Sequence, residues 1–376
     1  MTRILRILPV IIGFFLVLNF NVQAGFQDEH AEQGVETAGQ EHAISGTQHA
    51  EEAGPEEFNP GDFILDHIKD AHEWHITEFK GKPISIPLPV ILYSKSQGWQ
   101  FFMSGKLEHG HASYKGFRLE TNGDNKGKIV EEDGTLPLDL SITKNVVSIF
   151  FSVFLLFWIF ISAGKAYKRN PKDAPKGIQS FVEPVIVFVR DDVAIPSIGE
   201  KKYERYMPFL LTIFFFILIN NLLGLVPIPP AGANVTGNIA VPLVLALFTM
   251  IITNFSGRRN YWKHIFNTPG VPVWLKLPVP LMPVVEAIGV ISKPFVLMLR
   301  LFANIVGGHI LAMGIFSMIF IFAQMAPYIG YSVSVISLFF DAFMIFVEML
   351  IAFIQAFIFT ILSAIYIGMA VEEGHH

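Results

Sequence analysis

The sequence from Leu297 to Asn304 reads Leu-Met-Leu-Arg-Leu-Phe-Ala-Asn and places one arginine, Arg300, inside an apolar run. This run belongs to two very long apolar segments, at about 283–324 and 333–371, which are joined by an uncharged turn at 326–331. Each segment exceeds the ~20 residues that a helix needs to cross the hydrocarbon core of a bilayer. The sequence therefore predicts a membrane protein with a long, tilted or bent C-terminal helical hairpin.

Arg300 is energetically unusual at this position. None of the 76 residues that follow it is Lys or Arg. A guanidinium stays charged at any accessible pH, and a charge at bilayer depth costs at least ~2.5–3.5 kcal/mol. One interpretation is a snorkelling or structurally paired arginine. The other is that this cation acts on a charged group that passes by it.

Three further apolar segments, at 146–162 and at about 207–226 and 237–255, are predicted to span the membrane. Basic clusters flank them on one side only: Lys165, Lys168, Arg169, Lys172 and Lys176, then Lys201, Lys202 and Arg205, then Arg258, Arg259 and Lys263. By the positive-inside rule these clusters are cytoplasmic, so the N-terminus lies outside and the C-terminus inside. The segment at 178–193 contains Pro184 and several charges and is predicted to lie in the interface.

The N-terminal third divides into three predicted parts. Residues 1–24 have the form of a secretory signal peptide, with an uncleaved anchor as the alternative. Residues 25–58, rich in Glu, His, Gln and Gly, are predicted to be a disordered linker. Residues 59–145 are predicted to form a small β-rich extracytoplasmic domain with strands at 84–93, 98–103, 114–119 and 128–131, ahead of a membrane domain at 146–373.

Composition excludes several kinds of function. The chain has no Cys and hence no disulfide or Cys-based metal site, and a net charge of −5 argues against a nucleic-acid partner. No phosphate-binding loop or nucleophile triad is present. The spacing of His67, His72 and His75 could present a metal ion, but we predict neither a metal nor a cofactor.

The polar residues of the hairpin form two stripes. The first segment carries Glu286, Lys293, Arg300, Asn304 and His309, and the second carries Asp341, Glu348 and Gln355. At 100° per residue, the first four fall within about 40° of one helix face. The members of the second set are seven residues apart and therefore also share a face.

The register of the hairpin predicts which of these residues meet. A turn centred between 328 and 329 places His309 level with Glu348, and Arg300 within about two residues of Gln355. Histidine titrates near neutral pH, so a His–Glu pair at membrane depth suits a proton relay. A static pair that holds the hairpin together is the alternative. His309 lies about 180° from Arg300, so the two should occupy separate surfaces.

Four segments together resemble subunit a of the F-type ATP synthase, over about residues 145–373. They are Ser292-Lys293-Pro294, Leu299-Arg300-Leu301-Phe302-Ala303-Asn304, Asn234-Val235-Thr236 and Gln355-Ala356-Phe357-Ile358-Phe359. The resemblance implies a mostly α-helical polytopic protein of a bacterial inner membrane, itself non-catalytic. It also implies partners: c-ring rotor subunits, the subunit b peripheral stalk, the remaining synthase subunits and membrane lipid.

The resemblance further implies roles for individual residues. Arg300 would face the c-ring carboxylate and separate two offset half-channels, supported by Asn304 and Gln355. Glu286 would lie on the cytoplasmic half-channel. His309 and Glu348 would serve the outer half-channel, in reversed order relative to some bacterial members.

Asp341 shares the stripe of Glu348 and is placed with the proton-translocating residues. The competing class is a self-contained ion-coupled secondary transporter with a midplane site. No internal repeat relates the two halves of the sequence, which argues against that class. The region before residue 145 is not covered by the resemblance.

Overall fold

The computed structural model describes residues 59–61, 64, 68–79, 82–121, 123, 125–169, 174–266 and 281–372. The signal peptide and linker predicted for residues 1–24 and 25–58 lie outside the described residues. Within them, a small β-rich N-terminal region precedes a long helical region, and most residues are helical. The predicted fold class, a polytopic helical membrane protein with a β-rich N-terminal part, is confirmed.

The described part of the N-terminal region contains seven short strands in three antiparallel sheets. They are β1 (Glu73–Phe79), β2 (Lys82–Pro87), β3 (Pro89–Ser94), β4 (Gly98–Met103), β5 (Phe117–Leu119), β6 (Ile129–Glu131) and β7 (Leu138–Asp139). β1 pairs with β2, β3 lies between β4 and β7, and β5 pairs with β6. A short 3₁₀ helix, Ser104–Gly110, follows β4.

The single strand predicted at 84–93 is wrong. The chain there forms two strands of different sheets, divided at Leu88. Pro87 and Pro89 flank that residue, and neither can donate a hydrogen bond to a ladder. β4 matches its predicted bounds, whereas β1 and β7 were not predicted.

The helical region comprises eight α-helices within the described residues. They are α1 (Lys144–Arg169), α2 (Ile178–Phe188), α3 (Ile195–Ile198), α4 (Tyr203–Gly224), α5 (Ala240–Ser256), α6 (Arg259–Phe266), α7 (Leu281–Met325) and α8 (Pro327–Val371). A π-helical segment, Val189–Ala194, links α2 to α3, so the segment predicted to be interfacial is helical throughout. In the described chain, α1, α4, α7 and α8 are each long and apolar enough to cross a membrane, and the pair α5–α6, bent by 104°, makes a fifth if it is counted as one span.

The hairpin of α7 and α8 dominates the helical region. Each helix has 45 residues and is therefore about 67 Å long, more than twice the ~30 Å hydrocarbon core. Each helix must therefore be tilted or bent in the membrane, or extend beyond the hydrocarbon core.

The turn predicted at 326–331 is wrong, because the reversal takes a single extended residue, Ala326, and α8 begins at Pro327. Proline suits the first helical turn. Gly330 permits the tight approach, since a Cβ there would lie 2.7 Å from the Cβ of Ala323.

The core of the helical region lies around α4. Its side chains Leu210, Phe214 and Ile217 are fully buried, and they share one cluster with Phe359 and Ile367 of α8. Small residues on α8 allow neighbouring backbone to approach closely. This packing fixes α8, and with it the polar stripe that α8 carries, against α4.

The β-rich region is joined to the first span by hydrogen bonds as well as by the chain itself. Asp70 accepts from the Thr143 hydroxyl at 2.7 Å and from the Asn145 amide at 3.2 Å. The Lys144 amide donates to the carbonyl oxygen of Ala71 at 3.0 Å. Helix N-termini leave such amides without helical partners, so residues 70 and 71 cap α1 from a distant part of the sequence.

Two further contacts complete this connection. His72 Nε2 lies 2.6 Å from Asp139 Oδ2, and Trp74 is buried in the same cluster as Ile149 of α1. We call residues 70–74 with residues 139–149 the joint. The joint holds the β-rich region in a fixed position relative to α1.

The charged groups of the joint have shifted pKa values. Burial disfavours the charged form of His72, but the hydrogen bond and charge of Asp139, with the charges of Asp70 and Glu73, raise its pKa above the ordinary value. Burial also disfavours ionised Asp139, but His72 and hydrogen bonds from Ser141 hold its pKa below the ordinary value. Burial raises the pKa of Asp70 despite its hydrogen bonds.

These shifts predict that the joint is most stable in mildly acidic solution. The contribution of His72 is complete below its unfolded pKa of about 6.5 and is lost as pH rises through its higher folded value. The contribution of Asp139 is complete above about pH 3.9 and is lost only as pH falls through its lower folded value. The raised pKa of Asp70 also favours the joint at lower pH, because its ionised form is disfavoured in the folded chain.

Hydrogen–deuterium exchange of the Lys144 and Asn145 amides measures this effect. After correction for intrinsic rates, we expect about tenfold faster exchange at pH 9 than at pH 6, the size of one charged hydrogen bond. His72→Ala should remove most of that difference. His109→Ala, which affects a more exposed contact with Glu73, should preserve it. An unchanged pH dependence in His72→Ala would contradict the assignment.

Candidate proton-translocation site

His309 and Glu348 face each other between α7 and α8. The distance from His309 Nδ1 to Glu348 Oε2 is 3.9 Å, and the two side chains are 21% and 9% exposed. Gly308 makes room for the carboxylate, since a Cβ there would lie 3.2 Å from Glu348 Oε1. That oxygen is buried and has no hydrogen-bond partner in the described chain. The predicted register of the pair is therefore observed.

The pair lies toward the end of the helical region that carries the β-rich region, which we call the β-proximal end. His309 packs against the end of α4, because a Cβ on Gly224 would lie 3.8 Å from His309 Nε2. Four buried polar residues stand nearby in α4 and in the loop after it: Asn220, Asn221, Asn234 and Thr236. We call these four residues the amide cluster.

The amide cluster has unused hydrogen-bonding capacity. Asn220 Oδ1, Asn221 Nδ2 and Asn234 Nδ2 are buried and have no partner among the described residues. Thr236 donates to Asn221, and Asn220 donates to the carbonyl oxygen of Phe216 at 2.8 Å. Buried polar atoms of this kind commonly bind ordered water. The cluster can thus carry water toward His309.

Asn220 and Asn221 were not among the residues predicted from the sequence. Two consecutive amides inside the apolar run of α4 were the available signal, because uncompensated polar groups are costly in a membrane helix.

Arg300 and Asn304 lie on a different surface of α7. Both are exposed, whereas Leu297 and Leu301 on the adjoining face are almost fully buried. Within the described residues, Arg300 makes no hydrogen bond and no ion pair. The predicted separation of Arg300 from His309 is observed, because Arg300 is exposed whereas His309 is partly buried against Glu348.

Gln355 is 5% exposed on α8. In the described part of the chain, no hydrogen bond links Gln355 to Arg300 or to Asn304. The structure therefore places Gln355 in the interior of the hairpin, and Arg300 and Asn304 at its surface.

An open cleft lies at the opposite, β-distal end. It has polar lining residues on four helices, namely Thr249, Thr253, Asn254, Tyr261, Lys293 and Tyr366. Tyr261 donates to Asn254 at 3.0 Å, and the Lys293 ammonium lies 5.7 Å from the centroid of the Tyr366 ring.

Two predicted site residues interact with tyrosines that line this cleft. Glu286 is close enough to interact electrostatically with Tyr261. Arg300 interacts in the same way with Tyr366. The cleft therefore lies near both Glu286 and Arg300.

Asp341 is half-buried on α8, seven residues before Glu348. The two carboxylates are close enough to interact electrostatically. Asp341 therefore stands on the β-proximal side of the His309–Glu348 pair, and among the described residues it makes no hydrogen bond or ion pair.

The histidines of the N-terminal region show no metal site in the described residues. No group of three His, Asp or Glu side chains there is placed to hold a metal ion. His72 is engaged by Asp139. His67 and the side chain of His75 lie outside what the structure describes.

Comparison with known families supports the resemblance seen in the sequence. The family model described as the ATP synthase A chain matches residues 146–368. A model described as a domain of unknown function matches residues 63–147. The two matched segments meet at the start of α1.

Three relatives illustrate the similarity. ATP synthase subunit a 2 of Chlorobaculum tepidum is 34% identical over 98% of this chain and 94% of its own length. ATP synthase subunit a of Chloroherpeton thalassium is 41% identical over 63% of this chain and 69% of its own. The Myxococcus xanthus subunit a is 43% identical over 64% and 76%. With most of the helical region matched by one family model, this chain belongs to the ATP synthase A chain family.

Proposed function

We propose that this chain is the proton-translocating stator subunit of its synthase, with two offset half-channels that Arg300 keeps apart. As a family member it is a membrane-sector subunit of a rotary ATP synthase and assembles with the other synthase subunits. The observation that carries the proposal is the division of polar groups between two ends. One set surrounds His309 and Glu348, the other lines the β-distal cleft, and Arg300 stands on a third surface.

The β-proximal set supports an outer half-channel. The amide cluster supplies buried atoms that can bind water next to Gly224 and His309. Histidine can take up and release a proton near neutral pH, and Glu348 stands 3.9 Å away to exchange it. Asp341 extends this acidic stripe along α8.

The β-distal cleft supports the second half-channel. Its lining combines hydroxyl, amide and ammonium groups, which can order water inside an otherwise apolar bundle. Glu286 stands beside it and is proposed as the proton acceptor of this half-channel. Because the cleft and the His309 pair lie at different ends, a proton must be carried between them by a moving partner.

Arg300 is proposed to face that partner, the carboxylates of the c-ring. Its guanidinium is exposed and unpaired in the described chain, and Asn304 lies beside it on the same face. An exposed permanent cation at membrane depth requires a charged or hydrated partner outside the chain. Gln355 is proposed to support Arg300 after movement of its side chain.

The orientation follows from the basic clusters. The positive-inside rule places the β-distal end in the cytoplasm of a bacterial inner membrane and the β-rich residues 59–145 outside. Residues 146–373 then form the membrane domain, with the subunit b stalk as a further proposed neighbour. A self-contained transporter would enclose its central charge, whereas Arg300 points outward.

Single losses at the His309–Glu348 pair test the outer half-channel. His309→Ala and Glu348→Ala should each reduce ATP-driven acidification of vesicles by the assembled complex at least about tenfold, the usual scale for losing one proton-transfer group. Exchanging the two residues, His309→Glu with Glu348→His, should retain more pumping than either loss. The measurement is quenching of a pH-sensitive dye inside the vesicles.

A matched control separates proton transfer from helix packing. Ser317 is buried on α7 and donates to Gly314 within the same helix, so Ser317→Ala should pump like the unaltered chain. Unimpaired pumping by both single variants of the pair would overturn the proposed relay.

A further inference from the structure

The sheet of β3, β4 and β7 exposes one apolar face. Tyr93, Trp99, Phe101, Met103 and Leu138 are between 41% and 62% exposed, and we call them the aromatic face. Strand pairing places Tyr93 directly opposite both Trp99 and Leu138. Directly paired residues project to the same side of a sheet, so the five side chains form one surface.

The aromatic rings of this surface pack against one another. The Tyr93 and Trp99 rings lie 5.1 Å apart, and Trp99 stacks on Phe101 at 6.2 Å with an interplanar angle of 15°. The other side of the same strands supplies the core of the β-rich region through Val90, Leu92 and Phe102. The sheet is therefore apolar on both sides, although a sheet next to water normally carries polar residues on its outer face.

The aromatic face lies close to the first membrane span. The amides of Leu140 and Ile142 donate to the carbonyl oxygens of Ile91 and Pro89, so β3 runs beside the segment that enters α1. Pro89 pairs with Met103 at this end of the sheet. Since α1 begins at Lys144, the near edge of the face is only a few residues from the membrane boundary.

The first membrane span also exposes apolar side chains close to the joint. Phe150, Phe154 and Trp158 of α1 are more than half exposed, and they begin less than two turns below the joint. The joint itself fixes the sheet relative to α1 through Asp70 and His72. An apolar surface that is held beside a membrane-spanning helix is positioned to contact lipid as well.

Area and chemistry favour lipid over a second copy of the chain. Five half-exposed side chains of this size offer about 500 Å², below the ~800 Å² per partner of a stable protein interface. Trp and Tyr are the residues enriched where hydrocarbon meets headgroups. We propose that the aromatic face inserts into the interfacial layer of the leaflet at the β-proximal end. This anchoring does not depend on the proposed proton path.

Spin labels on the assembled complex test the proposal. The chain has no Cys, so Trp99→Cys and Phe101→Cys give unique attachment sites. Phe154→Cys supplies a lipid-exposed reference, and Glu132→Cys in the exposed loop after β6 supplies an aqueous control. The complexes are reconstituted into vesicles of phosphatidylethanolamine and phosphatidylglycerol. Collision rates with oxygen, which partitions into lipid, and with a water-soluble nickel chelate are then measured.

The ratio of oxygen to nickel collisions should be about fivefold higher at positions 99 and 101 than at 132, and below that at the deeper position 154, if the face lies in the lipid interface. A ratio equal to that at 132 would show a face open to water and overturn the proposal. Low collision rates with both reagents would show a face covered by protein and would overturn it equally.

Discussion

Replacing Arg300 by alanine is expected to abolish ATP-driven proton pumping while the chain still assembles into the complex. The guanidinium is exposed and makes no ion pair or hydrogen bond in the described part of the chain, so its loss leaves no buried partner behind. Folding should therefore tolerate the change. Pumping should fall to background, because no other permanent cation lies on this face of α7 near the bilayer centre.

The size of the effect follows from electrostatics. At 4 Å and an effective dielectric constant of 20, the attraction between a guanidinium and a carboxylate is about 4 kcal/mol. Each 1.36 kcal/mol is a factor of ten, so in the proposed role Arg300 would favour the ionised form of a passing carboxylate by roughly a thousandfold. Without it, a protonated carboxylate can pass, and rotation is no longer coupled to proton release.

Two variants serve as controls. Arg300→Lys keeps the charge but loses the planar fork of the guanidinium, so pumping should be reduced rather than abolished. Leu299→Ala changes a neighbouring exposed side chain and should leave pumping intact. All variants are compared at equal amounts of assembled complex, measured by immunoblot of the chain.

Replacing Gly368 is expected to have the second large effect, on assembly. A Cβ on Gly368 would overlap the backbone carbonyl oxygen of Ser197 and lie 2.9 Å from its carbonyl carbon. Both neighbours are backbone atoms, which cannot move aside as a flexible side chain can. Gly368→Ala must therefore push α8 away from α3. Overpacking of this kind costs typically ~1–3 kcal/mol.

Hydrogen bonds to residues after Gly368 also hold α8 in place. Lys202 donates to the carbonyl oxygen of Val371 at 2.7 Å, and the Arg258 amide donates to that of Ala370 at 3.1 Å. These bonds hold the end of α8, so a displaced helix would lose them together. We expect roughly tenfold less chain in the membrane, measured by immunoblot, with pumping reduced in proportion.

Gly289→Ala is the matched control, because an added Cβ on Gly289 meets no described atom within 4 Å and alanine favours a helix interior by about 1 kcal/mol over glycine. Its amount and pumping should equal those of the unaltered chain. Normal accumulation of Gly368→Ala would show that the contact between α3 and α8 is not tight in the membrane.

The sequence was sufficient to predict the long hairpin and its polar register. The length of the two apolar segments predicted α7 and α8. The spacing of Arg300, His309 and Glu348 predicted the helix faces on which these residues lie. The predicted register of His309 and Glu348 is observed although the turn was misplaced. Near Ala326 the decisive factor was the close packing of Gly330 on Ala323, which the pattern of apolar residues does not encode.

Other features depend on contacts between distant residues. The cap that Asp70 provides to Asn145 spans 75 positions, and β7 exists only because Leu138 reaches Tyr93. The amide cluster likewise joins α4 to the loop after it. Local propensity carries no information on such pairs. The alternation of Trp99, Phe101 and Met103 with other residues predicted a strand, but only the structure shows that these three side chains are exposed.

The proposed separation of two half-channels by Arg300 is tested by passive proton flux. Complexes are reconstituted into vesicles, rotation is blocked by an inhibitor of the catalytic sector, and a pH gradient is imposed. The unaltered complex should remain tight, and Arg300→Ala should conduct protons without rotation. If blocked Arg300→Ala complexes are as tight as the unaltered ones, Arg300 does not separate the two paths.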